Sequence, residues 1–219
     1  MNEKVFDWAF AWSLIPKLLD ALMVTVSATV LGMLLAMVLG LFWAVLRKSK
    51  SPIMYWTSTT FVEFFRSTPL LIQIYFLFYV LPDVGFRLTP FQTGILALGV
   101  HYSAYLAEVY RAGIDSVPEG QWEAAKALNL SKVHTFKSII FPQALPPIIP
   151  AMGNYLIAMF KDTPMLSAIT VLELLQTAKI IGAETFRYIE PLALVGILFL
   201  TLSLISARMI RFLEQRYVR

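Results

Sequence analysis

The sequence contains no cysteine and few charged residues. Without cysteine among its 219 residues, the chain can form neither disulfide bonds nor cysteine metal sites. Lys, Arg, Asp and Glu together make up only 15% of the residues, whereas hydrophobic residues make up 58%. A soluble monomeric domain of this size needs more polar surface than that. The composition therefore predicts an integral membrane protein.

Catalytic signatures are absent as well. The sequence has no H-E-x-x-H, no G-x-S-x-G and no G-x-x-x-x-G-K-[ST], which argues against a membrane-embedded enzyme and against ATP hydrolysis by this chain. We therefore expect no catalytic residue, no metal site and no cofactor. The first residues include Glu3, Lys4 and Asp7 rather than a basic region, so we also expect no cleavable signal peptide.

Long apolar runs are the dominant feature of the sequence. The stretch 22–46 has no ionisable side chain, and a helix of that length crosses roughly 30 Å of hydrocarbon at about 1.5 Å per residue. No segment is large enough to fold separately. We predict an all-α integral membrane protein with a single domain, residues 1–219, and five transmembrane helices at about 22–46, 57–81, 90–110, from 147 onward and 191–210.

Basic residues are distributed unevenly between the two sides of these spans. One side carries eleven: Arg47, Lys48, Lys50, Arg111, Lys126, Lys132, Lys137, Arg208, Arg211, Arg216 and Arg219. The other side carries five: Lys4, Lys17, Arg87, Lys179 and Arg187. Because Lys and Arg collect in cytoplasmic loops, we predict an external N-terminus, a cytoplasmic C-terminus and a cytoplasmic loop at about 111–146. This bias also explains the net charge of +4 without nucleic acid.

The fourth span is too long for one membrane crossing. As an unbroken helix, residues 147–175 would measure about 43 Å, and Pro164 lies near the middle. Proline removes an amide donor and disfavours helix in the residue before it. We predict a helix ending near 160–161, a break, and a second short helix at about 165–178, because transporters often build sites at such breaks.

The cytoplasmic loop is predicted to contain two short helices. Asn129 lies where the first helix should end, and asparagine readily adopts the left-handed conformation found there. Ser131 can cap a second helix at 132–140, which Pro142 follows. We therefore predict a two-helix loop between the third and fourth spans.

The loop also carries a spaced motif. Its residues follow the pattern E-A-A-x3-N-x9-I-x2-P and are Glu123, Ala124, Ala125, Asn129, Ile139 and Pro142. The pattern resembles the EAA loop of bacterial ABC-importer permeases, with Asn129 in place of a glycine. In that family the loop docks into a separate ATP-binding subunit, and the resemblance implies this role for these six residues. An amphipathic helix on the membrane surface is the alternative, but the register and the cytoplasmic location favour docking.

Three further stretches resemble one branch of that family. Residues 64–73, 104–114 and 161–167 are similar to the F-R-G-T-P-L-L-x-Q, A-Y-x-A-E-x-x-R-G-G-I and K-D-T-S-L-x-S motifs of permeases of the histidine, glutamate, glutamine, arginine and opine type. Members act in the bacterial inner membrane as homo- or heterodimers, with two ATPase subunits and an external solute-binding protein. The resemblance implies these partners, with membrane lipid around them. Departures at Pro164 and Met165 leave the solute open between an amino acid, an opine and a compatible solute such as ectoine.

Several charges lie within or beside the predicted spans, where each should pair or face water. Glu63 and Arg66 are three residues apart, and we favour a structural ion pair over contact with a solute. Glu108 is three residues before Arg111. It either forms a packing or gating pair with Arg111 or contacts the solute.

Lys161 and Asp162 adjoin the predicted break. A zwitterionic solute presents one carboxylate and one cation, so both side chains are candidates for solute contact, beside a water-accessible cavity that Ser167 also lines. The alternative is a local Lys–Asp pair that only holds the break open. His101 is a further candidate for a cation–π surface, although packing is the commoner role of such rings.

The sequence thus predicts the permease subunit of an ATP-driven importer for a small polar or zwitterionic solute. A secondary transporter or channel that works alone is the alternative. It would need internal symmetry or a proton relay through the membrane, and the sequence displays neither.

Overall fold

The computed structural model describes residues 6–217, and no strand occurs within them. Glu3, Lys4 and Arg219, which enter the signal-peptide and charge-bias predictions, lie outside the described residues. The α-helices are α1 (Trp8–Arg47), α2 (Pro52–Ser67), α3 (Leu70–Tyr75), α4 (Pro90–Asp115), α5 (Glu119–Ala127), α6 (Lys132–Thr135), α7 (Phe141–Asp162), α8 (Leu174–Thr185) and α9 (Ile189–Tyr217). The all-helical prediction is therefore confirmed.

Two of these helices, Trp8–Arg47 and Ile189–Arg216, are long and apolar enough to cross a membrane. Two bent pairs raise the number to four if each pair counts as one span: Pro52–Ser67 with Leu70–Val84, and Lys132–Ile169 with Leu174–Thr185. The number of five spans and their orientation stay predictions.

Helix α1 begins 14 residues earlier than the predicted start at Leu22. The Asp7 carboxylate accepts hydrogen bonds from the backbone amides of Ala9 and Phe10 at 3.0 and 3.2 Å, and so caps the helix. Leu14 and Leu18 are buried in an apolar cluster shared with α8 and α9. These tertiary contacts stabilise helix through Pro16, Lys17 and Asp20, where the sequence alone favoured an earlier boundary.

The predicted second span is bent rather than straight. Helix α2 and the helical segment Leu70–Val84, which begins with α3, meet at an angle of 106°, with Thr68 and Pro69 between them. Proline cannot donate to the helix, so the break leaves carbonyl groups of α2 without their usual partners. The Gln73 amide nitrogen donates to the carbonyl oxygens of Phe65 and Thr68 at 3.0 and 3.1 Å, which satisfies two of them. After α3 the chain continues as a π-helical turn and a 3₁₀ turn to Val84.

The fourth span is interrupted, as predicted, but the second helix begins later than expected. Helix α7 ends at Asp162, the chain continues as a 3₁₀ helix over Thr163–Ile169, and α8 starts at Leu174 rather than near Met165. The helical segment that ends at Ile169 and α8 meet at an angle of 48°, and the residues between them include Thr170, whose φ is 63°. The buried Glu173 side chain accepts from the backbone amides of Leu175 and Gln176 and so caps α8. This acidic cap was not recognised from the sequence.

Helices α1 and α4 form the centre of the molecule. Small residues recur every four positions along the buried face of α1: Ala28, Gly32, Ala36, Gly40 and Ala44. A Cβ atom at Gly40 would lie 2.8 Å from the Cβ of Leu106, so only glycine allows this approach. Such small-residue faces are typical of helix pairs in membranes. Helices α2 and α7 then pack against α4.

Candidate functional site

The predicted cytoplasmic loop contains a well-defined turn between α5 and α6. The backbone amide of Leu130 donates to the carbonyl of Ala125 at 3.1 Å, and that of Asn129 donates to Lys126 at 2.9 Å. This is the Schellman arrangement of a helix end, and it requires a left-handed residue at Asn129, whose φ is 51°. Ser131 then caps α6 by accepting from the His134 amide at 3.3 Å. The structure confirms both local predictions.

The motif residues of this loop point in two directions. Glu123 and Ala124 are exposed, whereas Ala125 is buried. Ile139 is half-buried and packs on an apolar cluster formed by α4, α7 and the loop: Val117, Ile140, Ala144 and Ile148. One part of the motif therefore faces outward, and the other part attaches the loop to the long helices.

The second helix of the loop does not end at Ile140, before Pro142, contrary to expectation. Helix α6 passes through a π-helical turn at Phe136–Ile140 directly into α7, so the chain stays helical from Lys132 to Asp162. The wider winding of the π-helical turn lies immediately before Pro142 and leaves room for its ring. The loop and the fourth span are thus parts of one continuous helical rod.

Large apolar side chains are exposed on both sides of the turn at Asn129. Leu128 and Val133 are 72% and 76% exposed, and Trp122 and Phe136 are exposed as well. The helix that carries Leu128 also carries Glu119, Glu123 and Lys126, so it is too polar to insert into lipid. An apolar patch with a polar rim is typical of a protein-binding surface.

The end of α4 near this loop is joined to α1 and α2 by ion pairs centred on Glu108. Its carboxylate accepts from Arg47 and from Arg111, the latter at 2.8 Å, and lies 3.5 Å from Arg66. The predicted Glu108–Arg111 pair is present. The Arg47 contact was missed, because it joins residues 61 positions apart and has no local signal.

A second group of ion pairs, centred on Asp115, lies at the same end of the molecule. Lys48 Nζ donates to Asp115 at 2.7 Å, and Arg111 lies 3.0 Å from the same carboxylate. The hydrogen bond from Lys48 holds the pKa of Asp115 below its ordinary value, and the Arg111 charge acts in the same direction. Glu63 and Arg66 are 3.9 Å apart, so the predicted pair exists but is long.

Polar and aromatic side chains meet in the middle of α4. The His101 ring nitrogen Nδ1 lies 3.1 Å from the side-chain oxygen of Gln73, and the Tyr102 hydroxyl donates to Asp162 at 2.6 Å. Tyr105 and Tyr155 complete an aromatic group around them. His101 on α4 and Asp162 at the end of α7, two of the predicted solute-path residues, are therefore brought to one region, where α4 contacts both α3 and α7.

Lys161 and Asp162 are not paired with each other. No ion pair joins them among the described residues; Asp162 bonds to Tyr102 instead, and Lys161 is exposed. Ser167 is half-buried within the 3₁₀ helix. A local ion pair between Lys161 and Asp162 therefore does not hold the break open.

In residues 6–217, no three acidic or histidine side chains are placed to hold a metal ion.

The opposite end of the molecule has an ionic contact that the sequence did not predict. Arg187 lies between Asp7, at 3.4 Å, and the buried Glu190. The Glu190 carboxylate also accepts from the Asp7 amide at 3.0 Å. These bonds attach the start of α1 to the start of α9.

Comparison with known proteins points to a transport family. A family model described as the binding-protein-dependent transport system inner membrane component matches residues 18–219. A probable amino-acid ABC transporter permease protein of Sinorhizobium fredii is 48% identical over 176 residues, which are 80% of this chain and 76% of the relative. An L-cystine transport system permease protein of Bacillus subtilis is 37% identical over 185 residues, 82% of this chain and 79% of the relative.

Solved structures agree with this similarity. The crystal structure of an amino acid ABC transporter with histidines matches with a TM-score of 0.91 at 31% identity, over 96% of this chain and 99% of that chain. The inward-facing MetNI methionine ABC transporter matches with a TM-score of 0.67 at 21% identity, over 94% of this chain and 98% of that chain, which supports the fold alone.

Proposed function

This chain belongs to the binding-protein-dependent transport system inner membrane component family, and from that premise we propose how its parts act. It is the permease component of an amino-acid ABC importer, a multi-pass inner-membrane protein that is not itself an ATPase. The stand-alone transporter and the membrane enzyme considered above are set aside by this membership.

The proposed topology has five spans: α1, the bent pair α2–α3, α4, the broken rod α7–α8, and α9. The N-terminus is external and the C-terminus is cytoplasmic. Support comes from the Lys48–Asp115 contact, which joins the ends of α1 and α4 beside α5. The flanking segments carry most of the basic residues, as cytoplasmic segments do.

A separate ATP-binding subunit binds the loop 111–146 in this proposal. Glu123 and Ala124 meet the ATPase directly, and Asn129 forms the turn that presents them. Ala125, Ile139 and Pro142 connect the loop to α7. The observation that carries the proposal is the high exposure of Leu128 and Val133 on a polar loop. Because α6 and α7 are one helical rod, movement of the loop is transmitted to Asp162 and to the 3₁₀ helix that follows it.

The solute path runs along α4 and the break after α7. Lys161, Asp162, Ser167, Glu108 and His101 line it, and Glu63, Arg66 and Arg111 hold its cytoplasmic end closed. The solute is a small polar or zwitterionic amino acid, delivered by an extracytoplasmic solute-binding protein. A carboxylate beside tyrosine rings, as at Asp162 and Tyr102, suits a solute with a cationic amine. Two permease subunits form the complete path.

Charge reversal at Glu123 tests the proposed docking loop. In cells that also produce the ATPase and the solute-binding protein, Glu123→Lys should lower uptake of a mixture of ¹⁴C-labelled amino acids by about tenfold, since a like-charge or unpaired contact weakens an interface. The amount of permease in the membrane should not change, because Glu123 is exposed. Co-purification of the ATPase should fall in parallel.

The matched control is Glu184→Lys, which makes the same charge change at an exposed position outside the loop 111–146. It should leave uptake within about twofold of the unmodified protein, as surface changes usually do. Normal uptake in the Glu123→Lys variant would contradict the docking role.

A further inference from the structure

A groove runs between the first part of α1 and the first part of α9, at the end of the molecule opposite the docking loop. Its volume is about 290 Å³, and within residues 6–217 only apolar atoms line it. We call it the outer groove; the side chains that form it include Trp8, Trp12, Ile15, Leu194, Ile197 and Leu198. Neither the docking loop nor the solute path uses these residues.

The outer groove has nearly the depth of one membrane leaflet. Glu190 lies in the first turn of α9, and Leu198 is eight residues further, about 12 Å along the helix. One leaflet contributes about 15 Å of hydrocarbon. Because residues 194–198 lie within the span predicted at 191–210, a chain that enters beside Glu190 runs along α9 into hydrocarbon.

The size and the lining of the outer groove exclude other occupants. An apolar cavity stays dry, and a polar solute would lose its hydrogen bonds there. A helix of another protein is roughly 10–12 Å wide, so a stretch of helix as long as the groove would fill roughly 1,000 Å³. The groove offers less than a third of that volume. A single acyl chain is both thin and apolar, and it fits.

Two tryptophans on α1 open the outer groove toward the membrane. Trp8 and Trp12 are one helical turn apart and are 70% and 68% exposed. On the α9 side, Ile197 is 58% exposed. Exposed tryptophans are enriched where lipid headgroups meet hydrocarbon. The groove is therefore open to lipid along its side and lies at the level of the headgroup boundary.

Charged groups of both signs lie at the end of the groove near Trp8. The Arg187 guanidinium is 5.0 Å from the centre of the Phe10 ring and 3.4 Å from the Asp7 carboxylate. The Arg187 and Asp7 side chains are 38% and 40% exposed, and Glu190 adds a second carboxylate. An anionic headgroup is attracted by an excess of cations. Among the described residues here, one cation faces two carboxylates, which suits a headgroup that itself carries both charges.

We propose that the outer groove binds one acyl chain of a phospholipid whose headgroup carries a phosphate and a primary amine, as in phosphatidylethanolamine. The phosphate meets Arg187, the amine meets Asp7, and the chain lies between α1 and α9. The bound lipid joins the two helices below the point where their ion pairs end. Placement in the outer leaflet rests on the proposed topology, whereas binding itself does not depend on the orientation.

Native mass spectrometry of the delipidated permease–ATPase complex tests the site. When phosphatidylethanolamine, phosphatidylcholine and phosphatidylglycerol with identical chains are added in equal amounts, one phosphatidylethanolamine should bind per permease chain. Trp12→Ala removes one wall and Ile197→Trp fills the groove, so each should lower this occupancy about tenfold, as loss of a large apolar contact does. The control is Trp56→Ala, at a tryptophan on α2 that is 65% exposed, and it should bind as the unmodified protein does.

Thermal unfolding separates lipid binding from an effect of the substitutions on the fold. Phosphatidylethanolamine should raise the Tm of the delipidated unmodified complex by about 5 °C, because it binds the folded state. It should not raise the Tm of the Ile197→Trp complex, whose groove is already filled. An equal rise in both complexes, or equal occupancy in Trp12→Ala and Trp56→Ala, would overturn the site. Equal binding of the three lipids would overturn the headgroup assignment.

Failure of the lipid site and failure of the proposed function give different results. If the permease proves to have the opposite orientation, the lipid moves to the other leaflet but the occupancies above do not change. If Glu123→Lys transports normally, the docking role fails and the groove is unaffected. Loss of selective binding, with uptake and orientation as proposed, removes the lipid site alone.

Discussion

At the scale of single residues, Asn129 is the position where backbone geometry matters most for the docking loop. Its φ of 51° lies in the left-handed region, and its amide takes part in the bonds that end α5. Asparagine and glycine adopt this conformation easily, whereas a β-branched residue does not. Replacing Asn129 by glycine and by valine therefore compares a residue that adopts the left-handed conformation easily with one that does not.

Asn129→Gly should leave the loop intact, and Asn129→Val should destabilise it by roughly 1–2 kcal/mol. Hydrogen exchange followed by mass spectrometry should show faster exchange in the valine variant for the amides of Asn129 and Leu130. Uptake should fall in the valine variant, while the glycine variant behaves as the unmodified protein. Equal exchange in the two variants would show that the turn is not held by this conformation.

At the scale of elements, the bend between α2 and α3 depends on one buried side chain. Gln73 donates to Phe65 of α2 and to Thr68 at the bend, and its oxygen lies 3.1 Å from His101 on α4. It therefore satisfies the backbone at the break and connects the bent span to the central helix. Removal of the amide leaves several buried polar groups without a partner.

Gln73→Met preserves the approximate volume but removes these bonds, and it should cost about 2–4 kcal/mol of stability. The measurement is the Tm of the detergent-purified complex. Gln121→Met provides the control, because Gln121 is exposed and, among residues 6–217, its side chain makes one hydrogen bond, a 3.2 Å contact with Gln143. A Tm shift of the same size in both variants would contradict the structural role of Gln73.

At the scale of the whole molecule, the orientation in the membrane decides which end meets the ATPase. Arg47, Lys48 and the docking loop lie at one end, whereas Arg187, Asp7 and Glu190 lie at the other. The positive-inside rule assigns the first end to the cytoplasm. Every proposal about the docking loop depends on this assignment.

Single cysteines introduced into the cysteine-free chain test the orientation in the membrane directly. Lys132→Cys should resist an impermeant thiol reagent added outside intact cells, and Glu184→Cys, at the opposite end, should react. Both positions are exposed within this chain, and the permease is produced without the ATPase, so protein burial does not explain a difference. Both cysteines should react in inverted membrane vesicles or after lysis. Ready labelling of Lys132→Cys in intact cells would reverse the orientation and remove the basis of the docking proposal.

The sequence by itself determined the features that depend on neighbouring residues. Composition identified a helical membrane protein, and the spacing around Glu123 identified the family. The turn at Asn129 and the cap at Ser131 were also predictable, because helix ends are governed by residues a few positions apart. An interruption of the predicted fourth span followed from helix length, and Pro164 indicated where the α-helix ends, but the bend itself lies beyond Ile169. Pro69 carries the same local signal for the bend of the predicted second span.

Only the tertiary structure decided which distant side chains meet. The contacts Arg47–Glu108, His101–Gln73 and Tyr102–Asp162 join residues 61, 28 and 60 positions apart. No local pattern encodes such pairs, because they depend on how α1, α3 and α7 pack around α4. The start of α1 and the continuous rod from α6 into α7 were decided in the same way, since packing of apolar faces outweighed the local preference of proline and charged residues to end a helix.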